Sequence, residues 1–180
     1  MELNCRMPLV LLMLPLTLFS QISETDMNSG WQFRKKGESK WLPAVVPGNI
    51  HSDLFRNKQI EDPFFGDNEK KIQWIENEDW EYSKEFTLKK SDLNHENIEL
   101  EFEGLDTYAK IYLNDSFLFY ADNMFRSWSI DVKKYLIAGT NNLHVNFESP
   151  VRKGRQEASK LSYKLPGDEK VFTRKAAFQY

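Results

Sequence analysis

Strict alternation of polar and apolar residues in Glu99-Leu-Glu-Phe-Glu103 constrains this chain more than any other feature. A period of two puts every second side chain on one face of an extended strand, so Leu100 and Phe102 are directed to a core and the glutamates to water. The pattern recurs. Leu143-His-Val-Asn-Phe147 alternates with its apolar members on one side, and Ala109-Lys-Ile-Tyr-Leu113 holds the β-branched and aromatic residues that fit a pleated surface. Asn114-Asp115-Ser116 sets a short polar turn between Ile111-Tyr-Leu113 and Phe117-Leu-Phe-Tyr120, as in a hairpin. Ala138-Gly-Thr-Asn-Asn142 reads as a further turn ahead of the strand at 143–147. Short strands at roughly ten-residue spacing, with no long helical period, predict an all-β fold: an antiparallel β-sandwich of the jelly-roll kind with at most short helices. One such helix is expected near His51 to Asn57, after the start signal Pro47-Gly48-Asn49.

A chain of 180 residues suits one domain, and 41% hydrophobic content with thirteen Phe, seven Tyr and five Trp supplies enough apolar surface for a core. Disorder is not expected of such a composition. With 24 basic and 27 acidic residues there is neither a basic stripe nor an acidic tail, so nothing recommends a nucleic-acid or anionic-membrane partner. Residues 1–23 read as a cleaved signal peptide. Arg6 precedes the apolar run from Met7 to Phe19, about thirteen residues, which fits a signal core and is too short to span a bilayer. Cleavage is expected between Ser20 and Ser23, leaving 24–180 as one β-sandwich domain in a secreted, periplasmic or, in a eukaryote, lysosomal setting. Cys5, the single cysteine, lies before the run rather than at its end. A lipid anchor and structural disulfides are therefore not expected, and stability falls to the core.

The remaining chemistries close quickly. His51, His95 and His144 are dispersed, with no spacing that suits zinc, and no metal or cofactor is expected. Ser, His and Asp occur as scattered singles rather than as a triad, and Gly37, Gly48, Gly66 and Gly104 are isolated rather than part of a phosphate loop. Asn114-Asp-Ser116 is a formal glycosylation sequon. Glu99, Glu101 and Glu103 share one strand face about 6.6 Å apart, near the spacing a glycosidase needs, but three like charges interleaved with Leu100 and Phe102 describe the wet face of an amphipathic strand. The segment from Val151 to Lys170, rich in charge, Ser and Gly, is expected to be a long exposed excursion, either a solvated surface or a partner-contacting loop. Gly104 suits a bulge or a close backbone approach, with Asp106 and Thr107 hydrogen-bonding to the neighbouring turn.

Eight segments, in order, carry a resemblance. They are Trp41-Leu-Pro-Ala-Val-Val-Pro-Gly-Asn-Ile-His-Ser-Asp-Leu54, Ile60 to Glu69, Trp74-Ile75, Asp79-Trp-Glu-Tyr82, Phe102-Glu-Gly-Leu-Asp-Thr-Tyr-Ala-Lys-Ile-Tyr-Leu-Asn114, Asn123-Met-Phe-Arg126, Asn142 to Pro150, and Arg174-Lys-Ala-Ala-Phe-Gln-Tyr180. Together they resemble the N-terminal, galactose-binding-like domain of β-mannosidases in glycoside hydrolase family 2, more than the β-galactosidase or β-glucuronidase branches.

The resemblance implies a non-catalytic front domain of an exo-acting glycosidase that removes terminal β-linked mannose with retention, without a cofactor. The catalytic glutamates would sit on a barrel beyond residue 180, so no catalytic or substrate-binding residue carries over onto this chain, and truncation ahead of the pocket loop is expected. The chain's own catalytic barrel is the implied partner, with β-mannoside oligosaccharides met through the intact enzyme. Asn123, Arg126, Arg174 and Lys175 are the candidates for polar contacts at the barrel interface; ordinary surface hydrogen bonding is the competing reading of all four. Trp31, Trp41, Trp74, Trp80 and Trp128 leave a second function open, a free-standing lectin-like module that stacks sugars on flat rings, against core or domain-interface packing.

Overall fold

The computed structural model describes residues 22–163. The expected signal segment up to residue 21, and the candidates Arg174 and Lys175, lie outside the described residues. The strands are β1 (Trp31–Lys35), β2 (Leu42–Pro43), β3 (Trp80–Leu88), β4 (Glu99–Phe102), β5 (Ala109–Leu113), β6 (Ser116–Ala121), β7 (Trp128–Asp131) and β8 (Gly139–Phe147). Three short helices join them: α1 (Ile50–Arg56), α2 (Asn68–Lys71) and α3 (Pro150–Ala158). Six strands form one sheet in the order β2-β1-β3-β8-β5-β6, while β4 pairs with β7 as a separate ribbon, and the pairs are antiparallel throughout. This is the expected all-β sandwich, with one layer much smaller than the other.

Register explains the layering. Phe33, Tyr82, Val145, Ile111 and Phe119 stand opposite one another across β1, β3, β8, β5 and β6, which makes an apolar row on the inner face. The ribbon closes over that face with Leu100, Phe102, Trp128 and Ile130, and the Phe119 ring stacks on Trp128 with centroids 5.1 Å apart. The three ribbon glutamates Glu99, Glu101 and Glu103 face water while Leu100 and Phe102 turn inward, as their alternation demands. A second cluster of Phe33, Leu54, Ile75 and Trp80 is covered by the helical segment between β2 and β3, through Ile50, Ile60 and Ile72.

The outer face carries the matching polar row. Arg34, Glu81, Asn146, Lys110 and Tyr120 align across the same five strands, one residue along from the apolar row. Arg34 Nε donates to Glu81 at 2.6 Å, and Lys110 Nζ reaches Glu148 at 3.1 Å.

Local chemistry sets the boundaries. Asn114 and Asp115 adopt φ of 49° and 62°, both left-handed, so the β5–β6 turn is the primed type that suits the twist of its strands. Asn49 caps α1 by accepting the Ser52 amide at 2.9 Å, and a Cβ on Gly48 would lie 2.2 Å from the Val45 carbonyl, so only glycine fits there.

Three expectations are corrected. The turn placed at 138–142 is mostly strand: β8 already starts at Gly139, and Asn141 is fully buried because its amide bonds the carbonyls of Ile137 and Gly139 while its oxygen takes the Ile137 amide. The excursion expected from Val151 begins as α3, in which Ser149 accepts the Arg152 amide, Pro150 occupies the first turn, and Val151 and Gly154 are buried. Gly104 marks neither a bulge nor a tight approach. A Cβ there would make only an ordinary contact with Met124 O at 3.7 Å, and the register shift falls at Ile111/Tyr112 instead. Thr107 donates to the Asp106 carboxylate beside it, within the turn.

Candidate domain interface

One row across the large sheet, Lys35, Trp80, Phe147, Ala109 and Ala121, ends β1, β6 and β8 and begins β3 and β5. The segments beyond that row therefore gather at one end of the sandwich. They are 103–108, 121–127, the stretch ahead of Trp80, and the start of α3. Ser127 Oγ donates to Glu103 O at 3.4 Å, and the Glu148 amide bonds Tyr108 O at 2.9 Å, which holds these loops together.

The opposite end is self-contained. Asn114 Nδ2 donates to Tyr135 O and to Asn141 Oδ1, both at 2.8 Å, while Asn114 Oδ1 accepts the Asn142 amide at 2.9 Å. The sequon asparagine thus spends its side chain on closing the fold.

Both ends expose large apolar side chains: Phe125 is 78% exposed at the tip of the β6–β7 loop and Trp74 40% exposed beside Trp80, while Phe117 and Ile137 are half exposed near the other end. The gathered end differs in collecting unmatched polar atoms. Among the described residues, Tyr120 Oη, Trp128 Nε1, Asn146 Oδ1 and Glu148 Oε2 are buried without a hydrogen-bond partner, and all four sit within two residues of the terminal row or on the strand that starts there. Buried polar atoms are ordinarily matched, so their concentration at one end is informative. Burial raises the Tyr120 phenol well above its ordinary value, and the nearby Glu148 carboxylate raises it further, although the two oxygens do not adopt hydrogen-bond geometry.

Two of the four predicted contact residues can be placed, and the fold brings them into the same loop. Asn123 Oδ1 accepts the Phe125 amide at 2.9 Å, so its role is to shape the turn that holds Phe125 out. The Arg126 guanidinium lies 4.2 Å from the centre of the Trp128 ring. Sequence reasoning passed over Phe125, although it lies between them; an isolated apolar ring inside a polar loop is the signal that identifies it.

The tryptophans also sort themselves. Trp31 and Trp80 are buried in the two clusters. Trp41, Trp74 and Trp128, which keep some exposure, each have a cation over the ring: Arg34 at 4.3 Å, Lys35 at 5.9 Å and Arg126 at 4.2 Å. A sugar stacking on any of these covered faces would first have to displace that charge, which weighs against a ready-made lectin platform.

On the outer face His144 sits edge-on to both Trp41 and Tyr112, with Nε2 3.7 Å from Glu81. Burial pushes its pKa below the ordinary histidine value; Arg34 and Lys36 push the same way, and Glu81 and Asp115 oppose them. Among the described residues no cluster of three or more His, Cys, Asp or Glu is placed to hold a metal ion, and no helix is long and apolar enough to cross a membrane.

Comparison with known proteins shows the family and the fold. The family model described as glycosyl hydrolase 2 galactose-binding domain-like matches residues 31–180. The β-mannosidase of Capra hircus is 34% identical over 149 residues, covering 82% of this chain and 17% of the goat protein. The crystal structure of a β-D-mannosidase from Dictyoglomus thermophilum superposes with a TM-score of 0.79 at 42% identity, over 83% of this chain and 19% of that one. An exo-chitosanase from Amycolatopsis orientalis, at 14% identity and a TM-score of 0.59, shares the fold alone. The chain thus spans less than a fifth of the length of these β-mannosidases.

Proposed function

Because the chain belongs to the glycosyl hydrolase 2 galactose-binding domain-like family, we propose that it is the N-terminal accessory domain of an exported β-mannosidase, in which it packs against a catalytic barrel and catalyses nothing itself. The intact enzyme hydrolyses terminal, non-reducing β-D-mannose with retention of configuration. That chemistry needs two carboxyl groups about 5 to 5.5 Å apart across the scissile bond, supplied by the barrel.

The observation that carries the reading is the asymmetry of the sandwich. One end is finished by asparagine hydrogen bonds, whereas the other gathers unmatched polar atoms and holds Phe125 78% exposed at a loop tip. Such an end suits permanent contact with a further domain.

The test is to express the whole reading frame and the 180-residue chain side by side and assay both on an aryl β-D-mannoside. The longer product is expected to turn over the substrate and the chain alone to leave it intact. Turnover by the chain alone, or none by the product of the whole frame, would overturn the reading.

A further inference from the structure

Phe64 is 97% exposed and its neighbour Phe65 is 75% exposed, which makes them an adjacent pair of almost bare phenylalanines. Scattered single apolar residues are normal on a protein surface; two adjacent rings held into solvent are not. The turn beneath them is braced. Asp62 accepts the Phe64 amide through its side chain at 2.9 Å and the Phe65 amide through its carbonyl at 3.2 Å, and the largely buried Asn68 donates back to Asp62 O at 2.9 Å. Gly66, at φ of 55°, turns the chain immediately after the pair. Since the backbone is already fixed, little conformational entropy remains to be lost when the two rings are covered, and rigid aromatic anchors of this kind dominate interface energies.

We propose that the Phe64–Phe65 knob is a primary anchor of this domain on the catalytic barrel of its own polypeptide, an inference that rests on the function proposed above. Three observations select that occupant. More than four fifths of the goat and Dictyoglomus β-mannosidases lies outside the part this chain matches, so the relatives carry a large body of protein to be docked. The knob's segment is fastened by Ile60, Ile72 and Ile75 to the cluster around Trp80, which belongs to the terminal row of the same end that exposes Trp74 and Phe125. Finally, the knob's flanks carry charge of both signs, with Asp67 paired to Lys70 at 3.1 Å and Glu61 to Lys71 at 2.8 Å, so no basic patch beside the rings recruits anionic lipid and the setting suits a protein surface.

Hydroxyl-radical footprinting with mass spectrometry tests this directly, applied to the 180-residue chain and to the product of the whole reading frame. Phe117, half exposed next to the self-contained end, serves as the internal reference. In the chain alone both knob rings are expected to be oxidised readily; in the longer protein their rate is expected to fall about tenfold relative to Phe117, as for rings at the centre of a desolvated interface. Equal rates in the two proteins would overturn the anchor even if the longer protein hydrolyses β-mannosides. Protection in the chain alone that grows with its concentration would assign the knob to a second copy and overturn it equally. Absence of hydrolysis by the longer protein is a separate result, which strikes the proposed function rather than the knob.

Discussion

The carboxylate of Asp53 on α1 accepts the hydroxyl of Tyr82 on β3 at 3.1 Å, with Asp53 completely buried. Its other oxygen takes the Val45 amide at 3.0 Å and Arg56 at 3.2 Å, so one side chain ties the short helix, the loop before it and the central sheet together. Burial and the adjacent Asp53 charge both raise the Tyr82 phenol, which keeps it a donor across the ordinary pH range. Replacing Asp53 by Ala strands these donors, and the expected loss is about 3 kcal/mol, or roughly 10 °C in melting temperature. Tyr82→Phe removes one bond and is expected to lose about 1.5 kcal/mol. Calorimetry on the two variants checks the order; an unchanged melting temperature for Asp53→Ala would sink the account.

The self-contained end makes a second prediction. Asn141 serves two carbonyls, one amide and the Asn114 side chain, so Asn141→Ala is expected to destabilise by about 3 kcal/mol in urea unfolding.

The neighbouring turn makes a third. Asp115→Val forces a β-branched residue to hold a φ of 62° and is expected to lose about 1–2 kcal/mol, whereas Asp115→Gly is tolerated. Equal urea midpoints for the two variants would contradict the primed turn.

His144 predicts the pH response. Its folded pKa lies below the unfolded value of about 6.5, so in the window beneath that value the unfolded chain binds more protons. Stability is thus expected to fall as pH drops below about 6.5, and His144→Gln, which cannot titrate, is expected to show a shallower fall. Urea midpoints of both proteins between pH 7.5 and pH 5 give the comparison, and parallel curves would rule His144 out.

Arg126 separates a domain's own stability from its docking. Its contact with Trp128 is exposed, so Arg126→Ala is expected to change the stability of the 180-residue chain by no more than about 1 kcal/mol. In the longer protein the same change is expected to increase protease cleavage between the front domain and the barrel. An identical cleavage rate would leave Arg126 as plain surface.

Much of the fold was legible wherever one physical signal acted alone. Alternation located β4 and the end of β8, the polar triplet at 114–116 located the β5–β6 hairpin, and Asn49 located α1. Legibility failed where a polar residue was buried by pairing. Lys84 points into the inner face of β3, nearly buried, and donates to Ser29 O, so the central strand does not read as clean alternation. Asn141 disguised the start of β8 as a turn in the same way. α3 was hidden by its charge, since its buried side is little more than Val151 and Gly154, although Ser149-Pro150 is a helix-start signal. Of the proposed interface residues, Asn123 and Arg126 came from resemblance, whereas Phe64 and Phe65 needed solvent exposure, a property that only the folded chain reveals.

The polar row across the outer face also acts as an alignment key. Sliding β8 by two residues along β3 keeps every side chain on its proper face, and the apolar row alone tolerates it: Tyr82 would meet Phe147 in place of Val145. The same slip in that direction brings Glu81 opposite Glu148, two like charges side by side, and takes Glu81 away from Asn146. The inner face thus decides which way each strand faces, and the outer row decides how far along its neighbour it comes to rest.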